Sequence, residues 1–374
     1  MREIPATWMR GGTSKCWVFR REDLDVPGLT VDEVLLRLYG SPDARQVDGV
    51  GGGTSTTSKA VILSRSSEPG VDVDYLFGQV GIEDATVDWG SNCGNCSAVV
   101  AAFAIREGWV ATESGDTTVR VRNANTGQLI VQEVPTPGGV LSESPEAANP
   151  GVPFGGVPVR LGFVDPAGRS TGRLLPTGSS REEIDGLTVT LLDAGAPVVL
   201  VPATQLGLTG IETPARLEAT PGLLSRLDDV RRQAAVRMGL AETPQLAQRA
   251  VPKLALIAAP ASADADLEVR MLSMGRVHPA VPITGSVAIT MAARTPGTVV
   301  ADVTSAETGL RLHTPAGTVE TFVDHHDGAP VVGVVRTYRR LATGAVVLPD
   351  VSAEETTSLQ HRDSPMLAVT GGKA

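Results

Sequence analysis

The chain has 374 residues, more than one compact core usually spans, so two lobes or a fold of repeated halves is expected. Hydrophobic residues make up 42% and charged ones 20%, an ordinary globular balance, and the longest apolar run, Ala98 to Ile105, is far below bilayer length. The net charge of -10, from 42 acids against 32 scattered bases, leaves no electrostatic footprint for nucleic acid.

The N-terminus, Met1-Arg2-Glu3-Ile4-Pro5, carries both charges and then a proline where an export signal would be apolar. Cys16, Cys93 and Cys96 are too few for a disulfide framework, so a reducing compartment, the cytoplasm, is expected. Met9-Arg10-Gly11-Gly12-Thr13-Ser14-Lys15 reads as a strand and turn. Its glycines let the backbone approach a ligand while Arg10 and Lys15 hold carboxylates, or else it is a plain hairpin with solvated charges. Gly51-Gly52-Gly53-Thr54-Ser55-Thr56-Thr57-Ser58-Lys59 offers N-H and O-H donors to an anion, and then leads into a strand, Ala60 to Leu63. A Walker loop needs Gly-Lys-Ser/Thr and a following helix, so nucleotide binding is disfavoured.

Gly90-Ser91-Asn92-Cys93-Gly94-Asn95-Cys96-Ser97 is a small polar turn entering an apolar helix, Ser97 to Glu107. Strands follow at Thr118 to Arg122 and Leu129 to Val134, then a Pro/Gly-rich surface loop, Pro135 to Pro158. The polar stretch between Gly178 and Ile184 divides the chain into halves, 1–180 and 181–374, and a strand runs from Leu187 to Leu192. A helix is expected from the cap Thr220-Pro221, with Leu223, Leu227, Val230, Ala234 and Met238 on one packing face. Met274-Gly275-Arg276-Val277-His278 supplies a cation and an imidazole. Thr284-Gly285-Ser286 is a turn before a second buried helix, Val287 to Arg294, and a strand spans Val331 to Thr337.

The halves echo one another. Asn92-Cys93-Gly94-Asn95 and Thr284-Gly285-Ser286 each precede an apolar helix, and Asn125-Thr126-Gly127 is matched by Pro315-Ala316-Gly317, both pairs about 190 residues apart. Met9-Arg10-Gly11-Gly12 is matched by Asp193-Ala194-Gly195-Ala196.

Cys93, at a helix start, feels free N-H groups and a positive dipole end, which lower a thiol's pKa below ~8.5 and suit acid/base or nucleophilic work. The bland alternative is a small buried packing residue. A zinc site does not close, because Cys16 stands alone and His325-His326 are adjacent in a turn. A Cys93/Cys96 thiol oxidoreductase needs a thioredoxin-like βαβ setting, which this strand-rich chain does not spell. Only four residues are lysine (Lys15, Lys59, Lys253 and Lys373), so each titratable amine draws notice.

The ordered set of Met9 to Lys15, Gly53 to Lys59, Asn92-Cys93-Gly94-Asn95 and Gly275 to Ser286 resembles the PrpF family of methylaconitate cis-trans isomerases over residues 5 to about 320. The resemblance implies an α+β, diaminopimelate-epimerase-like fold: two pseudo-symmetric lobes, each a barrel-like sheet wrapped around a central helix, with the site between helix starts. It further implies a cofactor-independent isomerase without a metal, Cys93 and Lys59 exchanging protons with a small polycarboxylate. Arg10, Ser14, Lys15, Asn92, Gly94, Asn95, Arg276, His278, Thr284, Gly285 and Ser286 would hold that substrate. No membrane partner is expected, and a homodimer would suit the fold. The chain departs from the family where Cys16 follows Lys15 in place of glycine. It departs from the related epimerases in reading Val281-Pro282-Ile283 where they carry a second cysteine. The absence of that thiol favours an asymmetric thiol and amine pair over amino-acid epimerisation on the same fold. A non-catalytic polycarboxylate-binding protein is the remaining alternative.

Overall fold

The computed structural model describes residues 2–90, 93–249, 251–273, 275–304 and 307–350. Two rings of strands follow one plan. The first uses β1 (Arg2–Gly11), β2 (Ser14–Arg20), α1 (Val31–Tyr39), β3 (Lys59–Arg65), β4 (Val73–Val80), β5 (Val87–Asp88), α2 (Gly94–Ser97), α3 (Val100–Arg106), β6 (Gly115–Asn123), β7 (Leu129–Thr136) and β8 (Val157–Val164). The second uses β9 (Glu182–Ile184), β10 (Leu187–Ala194), β11 (Ala196–Pro202), α4 (Pro214–Ala219), α5 (Leu223–Arg237), β12 (Lys253–Ala258), β13 (Leu267–Ser273), β14 (Arg276–Val277), α6 (Ile283–Arg294), β15 (Arg311–Thr314), β16 (Gly317–His326) and β17 (Ala329–Leu348).

In each half a hairpin (β1 and β2; β10 and β11) is followed by a strand parallel to its second arm (β3; β12) and then an antiparallel neighbour (β4; β13). The next long strand, β6 or β15, pairs in parallel with that neighbour, and β7 or β16 returns antiparallel. The echo of glycine-containing turns thus corresponds to a repeated topology. The first ring closes only through β17, which pairs with β8 and with β1. Residues 329–348 therefore complete the first ring from the far side of the 180/181 division.

The apolar helices fill the rings because they lack a polar face. Val100, Ala101, Ala102 and Ala104 of α3 and Val287, Ala288, Ile289 and Ala292 of α6 are fully buried in one core with the inward residues of both rings. The first helix is broken, since α2 and α3 are separate at residues 98–99. The second starts earlier than expected, so Thr284, Gly285 and Ser286 form its first turn. The amphipathic helix also differs at its start. Thr220 ends α4, where its hydroxyl bonds Arg216 O, and α5 begins after Gly222, whose left-handed φ of 73° turns the chain. Its expected face, Leu223, Leu227, Val230, Ala234 and Met238, packs outside the second ring. Among the described residues no helix is long and apolar enough to cross a membrane.

Candidate active site

Lys59 opens β3, and Val61 and Leu63 on the same face belong to the core around α3, so Lys59 points inward. It is only 8% exposed. Its ammonium donates to Gln79 Oε1 at 2.6 Å and lies 4.9 Å from the centre of the Phe77 ring. Gln79 is its cross-strand neighbour and donates its own amide to Ser58 O at 2.7 Å, which turns the side-chain carbonyl toward the lysine. The backbone is fixed as well, because the buried Tyr39 hydroxyl bonds Lys59 O.

Cys93 is the N-cap of α2, half-buried against the same core, and Tyr75 Oη donates to its carbonyl at 3.2 Å. Its thiol is electrostatically coupled to Lys59 and Cys96, and Cys96 in turn to Cys16. Three free thiols thus lead from the ammonium into the barrel, Cys96 and Cys16 fully buried.

The lowered thiol pKa expected at a helix start is reversed. The hydrogen bond with Cys96, then burial, hold Cys93 well above its ordinary value, although Lys59 pulls it down. The reason is local: α2 has four residues and a break behind it, too little aligned backbone to offset burial. For Lys59, burial opposes the charge, but the neighbouring thiols, Cys93 foremost, outweigh it and raise the amine. The resting pair is a neutral thiol beside an ammonium.

The two lobes touch at these helix starts. A Cβ on Gly94 would lie 2.6 Å from Ile283 Cβ, the first residue of α6, so only glycine permits this approach. The β1–β2 turn closes over the same point, with Asn95 Nδ2 donating to Thr13 Oγ1 at 3.0 Å and Gly12, at a φ of 50°, too close to Asn95 for a side chain.

The other expected residues divide by strand face. Met9 pairs with Cys16 and Gly11 with Ser14 on the inner face, so buried Ser14 stands beside the helix start. Arg10 and Lys15 pair on the outer face. Arg10 donates to Gly12 O at 2.8 Å, Thr337 Oγ1 at 2.9 Å and Gly155 O at 3.2 Å, while the Lys15 ammonium lies 5.2 Å from the Trp8 ring centre. Neither is placed to hold a carboxylate at Cys93, because alternation along a hairpin sends neighbours to opposite sides.

On α6, Thr284 is buried and the Ser286 hydroxyl donates back to Ile283 O at 2.7 Å, so it is not a free donor. The ring nitrogen Nδ1 of His278 is engaged by the Ala280 main chain, and burial pushes that imidazole down, leaving it neutral. Arg276 is exposed on the inward-facing side of β14, since Val277 beside it packs under α5. Asn92 lies outside the described residues.

Loop 51–58 is supportive in a way the sequence did not suggest. Buried Gln46 accepts from Gly53 N at 2.8 Å and donates to Ser58 Oγ at 2.8 Å, and Lys15 N donates to Thr56 O. Part of its donor set is therefore engaged within the protein. Gln46, Tyr75, Phe77 and Gln79 were missed by motif reading; the usable signal was the period of two along β4, which places Tyr75, Phe77 and Gln79 on the face of Lys59. Among the described residues no cluster of three or more His, Cys, Asp or Glu could hold a metal ion.

A sequence profile described as PrpF protein matches residues 1–349. The chain belongs to the PrpF family. Among its PrpF relatives, the 4-oxalomesaconate tautomerase of Pseudomonas putida is 41% identical, with 92% of this chain and 96% of that protein covered. The 2-methyl-aconitate isomerase of Shewanella oneidensis is also 41% identical, over 80% of this chain and 83% of that protein. A solved methylitaconate-delta-isomerase superposes with a TM-score of 0.84 at 35% identity, covering 92% and 95% of the two chains. A probable proline racemase from Agrobacterium radiobacter, 15% identical with a TM-score of 0.54 over 94% and 95% of the two chains, shares the fold alone. The fold is the diaminopimelate-epimerase-like one, two pseudo-symmetric lobes with sheet wrapped around helix.

Proposed function

We propose that this PrpF protein is an isomerase that moves a carbon–carbon double bond in a small unsaturated di- or tricarboxylate, with Cys93 and Lys59 as the proton-transfer pair. The observation that carries this reading is one thiol, Cys93, electrostatically coupled to one buried ammonium, Lys59, on the inner face of the first ring. The relatives named for oxalomesaconate, methylaconitate and methylitaconate support the substrate class.

The chemistry follows from the pair. When it sheds one proton, Cys93 becomes a thiolate beside the Lys59 ammonium. The thiolate takes an allylic proton, the C–H electrons form the new double bond, and the dienolate charge reaches the far carbon, where Lys59 returns a proton. The new Cys93 thiol then passes its proton to the neutral lysine, and the pair is restored. Nothing is oxidised or reduced, so the step closes without a cofactor. A positioned acid and base contributes about 10²-fold to 10⁴-fold. Donors aimed at a carboxylate oxygen where charge develops add roughly 3 kcal/mol each. The amides opening α6 and the Asn95 amide are candidates for that work.

A mirror-image two-cysteine epimerisation is disfavoured, because no cysteine occurs after Cys96. Three free thiols favour a cytoplasmic setting. The test is proton NMR in D₂O with aconitate, itaconate and mesaconate. Wild-type protein should place deuterium at allylic positions of the shifted alkene, and Cys93→Ser and Lys59→Arg should lose this with unchanged circular dichroism. Near-normal exchange in either variant overturns that residue's role, and deuterium at an amino-acid stereocentre would favour the epimerase.

A further inference from the structure

The repeated topology gives every strand of the first ring a counterpart in the second. β12 occupies the place of β3, parallel to the second arm of the hairpin and antiparallel to the next strand. Its first residue is Lys253, about 190 residues after Lys59, the first residue of β3. Leu254 and Leu256 pack under α5, whereas Ala255 and Ile257 join the central core, so Lys253 faces inward toward α6 as Lys59 faces α3. Two of the chain's four lysines are thus related by the internal repeat.

Their surroundings differ. Lys59 has Gln79 and the thiol of Cys93, but Lys253 makes no hydrogen bond or ion pair with its ammonium among the described residues. Arg336 of β17 is nearby. It shares the inward face with Val332, Val334 and Tyr338 and is 6% exposed. Its two hydrogen bonds are long, 3.3 Å to Val335 O and 3.4 Å to Val281 O, and no carboxylate pairs with it among the described residues. Val281 precedes Pro282, the N-cap of α6, a helix of 12 residues whose start lacks a side-chain cap. Lys253 and Arg336 both lie within electrostatic range of the His278 ring, in the segment that leads into α6. Burial alone lowers both, Arg336 to about 10. Arg336 is a buried cation without an anion and Lys253 a half-buried one; a ligand carboxylate offsets the cost of that burial, and the positive end of a helix adds to the attraction.

We infer that Lys253 and Arg336, at the first turn of α6, form a second-lobe carboxylate site that takes a non-reacting carboxylate of the di- or tricarboxylate substrate. The inference rests on the proposed reading in its choice of ligand. Ile283 abuts Gly94, so the site lies one helix start away from Cys93, and a small polycarboxylate reaches both. The first lobe moves protons, and the second anchors charge.

The test is isothermal titration calorimetry with tricarballylate, a saturated tricarboxylate. Lys253→Met and Arg336→Lys should each weaken binding tenfold or more, Lys253→Arg should stay within about threefold of wild type, and Cys93→Ser should bind as wild type does. Arg336→Lys keeps a cation in the buried position, so folding is retained, and circular dichroism checks each variant. In turnover, Lys253→Met should raise KM more than it lowers kcat. Binding within twofold of wild type by both Lys253→Met and Arg336→Lys would overturn the carboxylate site and leave the Cys93 and Lys59 reading intact. If wild-type protein binds no tricarballylate yet catalyses deuterium exchange, the site falls alone. If it does neither, both fall.

Discussion

The two rings share a strand plan and differ at the points where their helices begin. In the first, a cysteine caps a four-residue helix and meets a buried lysine; in the second, a proline caps a helix of 12 residues and the lysine at the matching strand start has no thiol partner. One scaffold therefore presents two kinds of surface to the same crevice. Equivalent positions in a duplicated fold keep backbone geometry while their side chains take separate tasks.

The comparison breaks most visibly at Cys93. Cys93→Ala should lower turnover by about 10²-fold to 10⁴-fold, the range for a lost general acid or base, while Ser286→Ala on the second helix stays within about twofold, because that hydroxyl bonds its own helix. Steady-state rates of the two variants at equal protein concentration decide it. Next in size is the contact between helix starts. Gly94→Ala brings a methyl 2.6 Å from Ile283 Cβ and should cost about 1–3 kcal/mol in denaturant unfolding, with Ile283→Ala in the same chain recovering part of the loss.

A smaller effect concerns pH. The Cys93 thiol must release its proton before it can act as a base, and Cys96 and burial hold it up, so the rate should rise with pH along an alkaline limb. Cys96→Ala removes the bond that contributes most to the raised value, so Cys93 titrates lower and the limb moves toward lower pH. A kcat/KM profile that stays in place in this variant would contradict the assignment. Smallest of all is Lys15→Ala, expected within about twofold of wild-type turnover because its ammonium sits over Trp8 on the outer face.

Much of this was legible from residues alone. Short β-branched runs between turn clusters marked the strands at Ala60–Leu63 and Leu187–Leu192, the apolar runs marked both central helices, and turn echoes marked the duplication. Cys93 at a helix start and Lys59 at a strand start were both readable from their flanking motifs. That Arg10 and Lys15 share the face opposite Met9 and Cys16 was not legible, because a motif records which residues occur together, whereas a strand sends successive side chains to opposite faces. Lys253 drew notice only as one of four lysines, and Arg336 none, because Val251-Pro252-Lys253-Leu254 and Val334-Val335-Arg336-Thr337 look like ordinary strand text. The place of Arg336 beside the start of α6 depends on its bond to Val281, a contact between residues far apart in the chain. The raised Cys93 thiol was also hidden, since the dipole argument was sound but the helix proved too short to win against Cys96 and burial together.

The seam between β1 and β17 has a consequence for how the molecule comes into being. Ile4 pairs with Val346, so the barrel that houses Cys93 and Lys59 stays open along one side until almost 350 residues have been synthesised. Contacts of such long range are slow to form, and the unsealed edge is exposed to misassociation during translation. The lobe that is made first is therefore finished last, and a nascent chain halted before β17 is expected to expose the interior of that barrel to chaperones and proteases alike.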